Sequence, residues 1–184
     1  MKRIRRSDIV DYQTYEEIRP DFRPTVMAAK DRRRIHVGDC FTFLFENELT
    51  LRYQVQEMMR AEQIVKEREI LREIETYDGL LGNAGELACT LLIELTEPSE
   101  RDRKLHDWRD LPDHIYLRLA DGSVVRPLID EGQRNSERIS AVQYLRFRVG
   151  SQLPVALGID LAGSAGETEL TEEQRAALTE DLAD

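Results

Sequence analysis

Leu87-Ala88-Cys89-Thr90-Leu91-Leu92-Ile93-Glu94-Leu95 is the stretch on which the fold reading turns. Leu87, Cys89, Leu91, Ile93 and Leu95 alternate with Ala88, Thr90, Leu92 and Glu94. A period of two puts alternate side chains on opposite sides of an extended chain, so this is a strand buried mainly on one face. Downstream the same pattern returns. Residues 139–149 set Ile139, Ala141, Leu145, Phe147 and Val149 on one side and Tyr144, Arg146 and Arg148 on the other. Val155, Leu157 and Ile159 make a shorter closing strand after the Gly150-Ser151 turn. Asp121-Gly122 separates two further strand-like runs, 115–119 and 124–129. Asp-Gly suits the two positive-φ positions of a type I′ turn, which would set Leu119 opposite Val124 and Leu117 opposite Arg126. Residues 96–110 carry Pro98 near the first turn and Leu105 and Trp108 on one face, and read as a helix ending before Pro112.

Upstream the period changes. Ser7 and Asp8 form a helix start, and Pro20 and Pro24 are expected to end that helix. Ile35-His36-Val37 reads as a short strand stopped by Gly38-Asp39. Residues 40–45 fit either a strand paired back through that turn or a helix capped by Asp39, and the strand reading is preferred. From Asn47 or Thr50 onward Leu51, Val55, Met58 and Met59 form a helical stripe. Ile70, Leu71, Ile74 and Tyr77 continue it to Gly79, as one bent helix or two. Helices before Gly79 and strands after it imply an α+β fold, with N-terminal helices packed on a mostly antiparallel sheet of about five strands. Residues 1–160 are expected to form a single α+β domain. Residues 161–184 are read as an acidic, flexible tail, in which Thr171 and Gln174 form a capping box for a short helix carrying Leu178 and Leu182.

The charge is unevenly spread. The chain of 184 residues has a net charge of −10, yet residues 1–34 hold ten Lys or Arg against six acids, while residues 161–184 hold one Arg against seven. An overall negative charge argues against nucleic acid or an anionic membrane as partner, since both call for collected cations. The basic segment is expected to dock on the acidic body of its own chain, the plainer option, or on an acidic partner, and the sequence does not choose between them. The longest uncharged run, 149–159, is much shorter than the roughly 20 apolar residues of a membrane helix. Residues 1–11 lack an apolar signal core. Cys40 and Cys89 show no disulfide spacing. A cytoplasmic protein without membrane insertion is the expectation. The Leu51, Val55, Met58 and Met59 stripe serves a core or a dimer seam equally well by pattern, so the oligomeric state stays open.

Three sets of side chains offer chemistry. Glu46, Gln54 and Glu57 form a candidate polar site, with Gln54 and Glu57 sharing a helix face at a spacing of three. No Glu-x-x-His pair accompanies them, and solvated charges paired along a helix are the plainer reading. Arg32, Arg33, Arg34 and Arg52 are a candidate anion-binding set, because guanidinium grips carboxylate or phosphate through parallel hydrogen bonds. Cations guarding a sheet edge would look the same. His36 and Cys40, with three residues between them, and Cys89 from a neighbouring strand are weak metal-ligand candidates lacking a fourth member. Buried free cysteines are the simpler explanation. His106 and His114 flank Trp108 with no evident partner. No phosphate-cradling loop, nucleophile elbow or identifiable cofactor motif is present, so no reaction or cofactor is assigned.

Four segments together carry a resemblance: Phe45-Glu46-Asn47, Tyr53-Gln54-Val55-Gln56-Glu57-Met58-Met59-Arg60-Ala61-Glu62, Thr90-Leu91-Leu92-Ile93-Glu94, and Ser140-Ala141-Val142-Gln143-Tyr144-Leu145-Arg146-Phe147. In this order, across about residues 1–150, the chain resembles a bacterial domain-of-unknown-function family. What the resemblance implies is a setting. Similar proteins are often encoded beside rubrerythrin-like and heterodisulfide-reductase-like iron–sulfur proteins, which implies a role in a redox or peroxide-handling system; with no recognisable nucleophile, cofactor loop or strong metal motif in the chain, a non-catalytic accessory or partner-binding protein is the leading expectation. A small enzyme or metal-binding protein using the central-helix carboxylates, and a sensor of an anionic metabolite, are the alternatives that the residues leave open.

Overall fold

The computed structural model describes residues 2–129 and 137–183. The chain order is α1 (Tyr12–Asp31), β1 (Arg34–Val37), β2 (Phe41–Glu46), α2 (Glu48–Glu62), α3 (Glu67–Asp78), β3 (Glu86–Ile93), α4 (Pro98–Asp107), β4 (Ile115–Leu119), β5 (Val124–Val125), β6 (Val142–Arg148), β7 (Pro154–Ile159), β8 (Gly166–Glu169) and α5 (Glu172–Ala183). Every strand pairing between these elements is antiparallel, and the expected α+β class is the one observed. The strands form two sheets of four, β1-β2-β3-β6 and β5-β4-β7-β8, rather than one sheet of about five. Alternation reveals which residues point together along a strand, not which strands share a ladder.

The two sheets enclose the main core. Ile35, Phe43, Phe45, Leu91 and Phe147 of the first meet Ile115, Leu117, Leu157 and Ile159 of the second, with Leu105, Trp108 and Leu178 from the helices. A smaller core of Ile4, Ile9, Leu51, Val55, Met59, Ile70 and Ile74 binds the N-terminal arm, α2 and α3 together. The predicted stripe of α2 therefore serves a core, apart from the half-buried Met58. Since α1 contacts β2, the helix layer lies on the side of the first sheet away from the sandwich core. Strand β2 is buried at all six positions, as expected of a strand with cover on both faces. Strand β3 is buried on both faces too, except at Leu92, which corrects the one-faced reading: Ala88 and Thr90 lie beneath the helix layer.

Several local expectations change for physical reasons. Helix α1 begins at the Asp11 cap, whose side chain accepts from the Gln13 and Thr14 amides, while residues 6–8 make only a 3-10 turn. It also runs through Pro20 and Pro24. Both prolines are exposed and lie four apart on one face, so the Glu16 and Pro20 carbonyls they leave unpaired meet water. Tyr15 and Val26, fully buried, hold the helix in place from the other side. Residues 41–46 are strand, as preferred, and the next segment is two helices, broken where Gln63 adopts φ 51°. The β4–β5 hairpin pairs Arg118 with Val124 and Leu117 with Val125, one residue off the expected register. Its loop has three residues, because Leu119 N–H bonds to Ser123 O and only Gly122, at φ 85°, is left-handed. This is a type I turn closed by a bulge rather than a type I′ turn.

The expected flexible tail is instead ordered. Residues 166–169 pair with β7, and the capping box forms, with Thr171 N–H bonding to Gln174 Oε1 and Gln174 N–H to Thr171 Oγ1. Helix α5 buries Ala177 and Leu178 and brings Asp181 to Arg33. The Arg33 guanidinium donates to both oxygens of Asp181 at 2.8 Å, and the two side chains are 5% and 4% exposed. Composition marked this segment as polar, but one buried ion pair and two leucines suffice to dock it. Asp181→Ala leaves Arg33 buried without its partner and is expected to destabilise the protein by about 3–5 kcal/mol. Arg32→Ala breaks only the exposed pair with Glu180 and is expected to cost about 1 kcal/mol or less. Urea unfolding compares the two, and equal midpoints would show that the buried pair does not hold α5.

Candidate functional site

The three members of the expected polar site are engaged by different partners. Glu46 ends β2 with its side chain under the helix layer, where it accepts hydrogen bonds from the hydroxyls of Thr50 and of Thr90 across the ladder. Burial pushes its carboxyl pKa up, and those hydroxyls, with Lys30 and Arg33 further off, only partly offset this. Glu57, two turns along α2, accepts from Arg19 Nε at 2.7 Å and Tyr15 Oη at 2.6 Å. Partial burial raises its pKa, but the bonds from Arg19 and Tyr15 outweigh it and hold the carboxyl below its usual range. Gln54 bonds to Tyr77 of α3. A shared carboxylate site does not form from these contacts.

The arginines likewise separate. Arg33 takes Asp181, while Arg32 bonds to Glu180 and Arg34 to Asp31. Asn47, the cap of α2, adds a third hydrogen bond to Asp181, so a carboxylate of this same chain fills the Arg33 position. Arg52 stands elsewhere, 3.5 Å from Glu48 and against the Phe22 ring.

The weak metal candidates do not converge. Cys89 pairs with Phe45 and faces the sandwich core, whereas His36 sits on the opposite face of the same sheet. Cys40 packs at the core margin. Burial raises both thiols, Cys89 far more, with the Glu46 charge adding to it. Among the described residues, no three His, Cys, Asp or Glu side chains are grouped to hold a metal. His106 and His114 do have partners, Glu137 O and Asp160, each at 2.9 Å from Nδ1.

Sequence reading passed over a different constellation. His36 and Thr42 face each other across the β1–β2 hairpin, with Nδ1 and Oγ1 2.9 Å apart, and the Thr42 hydroxyl donates to Glu94 beyond the end of β3. The hydroxyl has one proton, given to Glu94, so toward His36 it acts as acceptor. The pair was in principle legible from the hairpin reading of Gly38-Asp39, since a strand at 40–45 returns Thr42 alongside His36. The same register continues from Thr42 to Leu92 and from Leu92 to Val142. One row therefore crosses all four strands, with His36 and Val142 exposed at its ends and Leu92 half-buried. The adjacent Leu44, Glu46, Ala88 and Thr90 are buried, so this row is where the cover of the sheet ends.

The comparison with known proteins matches this architecture. The model of the family described as "Protein of unknown function (DUF3501)" matches residues 3–182. The chain belongs to that family. The match takes in β8 and α5, so the docked C-terminal segment is part of the family's shared domain. A crystal structure of a novel protein of unknown function from Burkholderia pseudomallei K96243 shares the fold, at 28% identity and a TM-score of 0.90, covering 98% of this chain and 100% of that one. No curated protein matches.

Two measurements check the site chemistry. The folded-state pKa of Glu46 lies above its unfolded value, near 4.5. Its carboxyl thus costs stability as pH rises from about 4.5 through the folded pKa, and below that range the cost is absent. Glu46→Gln is therefore expected to gain on the wild type in urea midpoint between pH 4.5 and pH 8; a difference that shrinks toward pH 8 would contradict the raised pKa. Thiol labelling of the native protein is expected to modify Cys40 slowly and Cys89 only after unfolding. Equal native rates would place Cys89 outside the core.

Proposed function

We propose that this protein is a non-catalytic, partner-binding accessory of a bacterial redox or peroxide-handling system, with an iron–sulfur or rubrerythrin-like protein as partner. The observation that carries the reading is the margin of the sheet's cover, where exposed His36 and Val142 and half-buried Leu92 lie in one row with buried Thr42 and set apolar side chains beside an imidazole. Mixed apolar and polar surface of this kind suits a reversible interface. The reading also draws support from how Glu46, Glu57, Arg32, Arg33 and Arg34 are used, each bonded within its own chain. The redox setting rests on the gene neighbours that the family resemblance implies.

The direct test is binding to a purified redox partner recovered with the full chain from native cells. Leu92→Glu combined with Val142→Glu is expected to weaken that binding by about tenfold or more, equivalent to about 1.4 kcal/mol. Val124→Glu, exposed on the second sheet, is expected to leave it unchanged. If no redox protein is recovered reproducibly, or if the double variant binds as well as the wild type, this function is wrong.

A further inference from the structure

Arg52 belongs to a feature apart from the row at the cover's margin. It lines a cleft of about 400 Å³ with Lys2, Arg3, Arg5, Asp8 and Glu48. The N-terminal arm forms one wall and is fixed in place. Ile4 and Ile9 are buried in the smaller core, Ile4 N–H bonds to Asp78 Oδ1 at 2.8 Å, and Arg3 Nη1 bonds to Asp78 O at 3.0 Å. The first turns of α2 supply the other wall through Glu48 and Arg52. Four cations face two carboxylates, so the cleft is net positive in a chain whose net charge is −10.

Its hydrogen bonding is incomplete on both sides. Glu48 Oε1 is buried and accepts no hydrogen bond, although Arg52 Nε lies 3.5 Å away. Burying a polar atom without a partner is costly, and such atoms are rare in native folds unless something else supplies the bond. The Arg52 guanidinium lies 5.6 Å from the centre of the Phe22 ring, and its terminal nitrogens donate to no described residue. Arg5 spends Nε and Nη2 on Asp8, which leaves Nη1 to point elsewhere. Unused donors thus line one small, fixed space, with an unused acceptor buried in its wall beside Arg52.

We propose that this cleft binds a small oxyanion, a carboxylate or a phosphate, that also carries an O–H or N–H donor. The anionic oxygens take the free N–H groups of Arg52 and Arg5, with the positive field of the cleft drawing them in. Arg52, turning to the anion, uncovers Glu48 Oε1, which takes the ligand's donor. The need for that donor separates this site from a general affinity for anions. It gives Arg52 the anion-binding role expected from sequence, at a place remote from Arg32, Arg33 and Arg34, whose contacts lie within the chain.

Titration calorimetry on the full chain at pH 6 and constant ionic strength tests the site with two pairs of probes. Inorganic phosphate, which keeps O–H groups at that pH, is compared with sulfate, and malate, a hydroxycarboxylate, with succinate. In at least one pair the donor-bearing member is expected to bind saturably and about tenfold or more tighter than its counterpart. The pair that responds separates a phosphate ligand from a carboxylate one. Arg52→Gln is expected to abolish that binding. Arg5→Ala, at an exposed position outside both cores, is expected to weaken it by about threefold or more while the urea midpoint stays at the wild-type value. Absence of saturable binding in both pairs overturns the proposal. So does equal binding within each pair, or undiminished binding in a folded Arg5→Ala protein together with Arg52→Gln.

Discussion

Cover on both faces of β2 and β3, the two central strands of the first sheet, is the constraint from which most of the structure follows. Strand β2 has no solvent face, so each polar group on it has to find a partner inside the protein. Thr42 and Glu46 are the two that need one. Thr42 sits between His36 and Glu94, and Glu46 between Thr50 and Thr90. The Glu46 cluster is buried throughout, whereas buried Thr42 reaches exposed His36 and Glu94 at the margin of the cover. Glu46 ends the strand and Asn47 caps the next helix, so the same two residues close the sheet and start the layer that covers it.

The ion pairs divide by the same logic. Arg33 shares a face with Ile35 and Val37 and would be a buried charge without Asp181, which makes α5 part of the domain rather than an appendage. Arg32 and Arg34, its neighbours, remain partly exposed and pair loosely at the surface. Three consecutive arginines thus have unequal weight, set by which way each points and not by their shared chemistry. Charge asymmetry along the sequence is realised partly inside the molecule, since Arg32 and Arg33 near the basic start meet Glu180 and Asp181 near the acidic end.

Two regions stay open to another molecule, and they differ in kind. The row from His36 to Val142 is a strip of sheet with an oriented imidazole and half-buried or exposed apolar groups, suited to a protein surface. The Arg52 cleft is small, positive and incompletely hydrogen-bonded, suited to a metabolite. Lying on different elements, the two proposed sites do not overlap.

Period and local hydrogen bonding act within a few residues, so the fold class, the helices after Asn47, the strands that run Glu86–Ile93 and Val142–Arg148, within two or three residues of their bounds, and the capping box at Thr171 were legible in the residues alone. The sequence also brought Arg52 into the set of anion candidates. Sheet membership, the passage of α1 through Pro20 and Pro24, and the docking of α5 were decided only by tertiary structure. A proline is tolerable when its unpaired carbonyl faces water, and an acidic segment folds when a buried arginine awaits one of its carboxylates; both conditions concern what lies across space. The Thr42 relay and the unsatisfied oxygen of Glu48 depend on the same thing, since contacts between residues far apart in sequence decide whether a polar atom is paired.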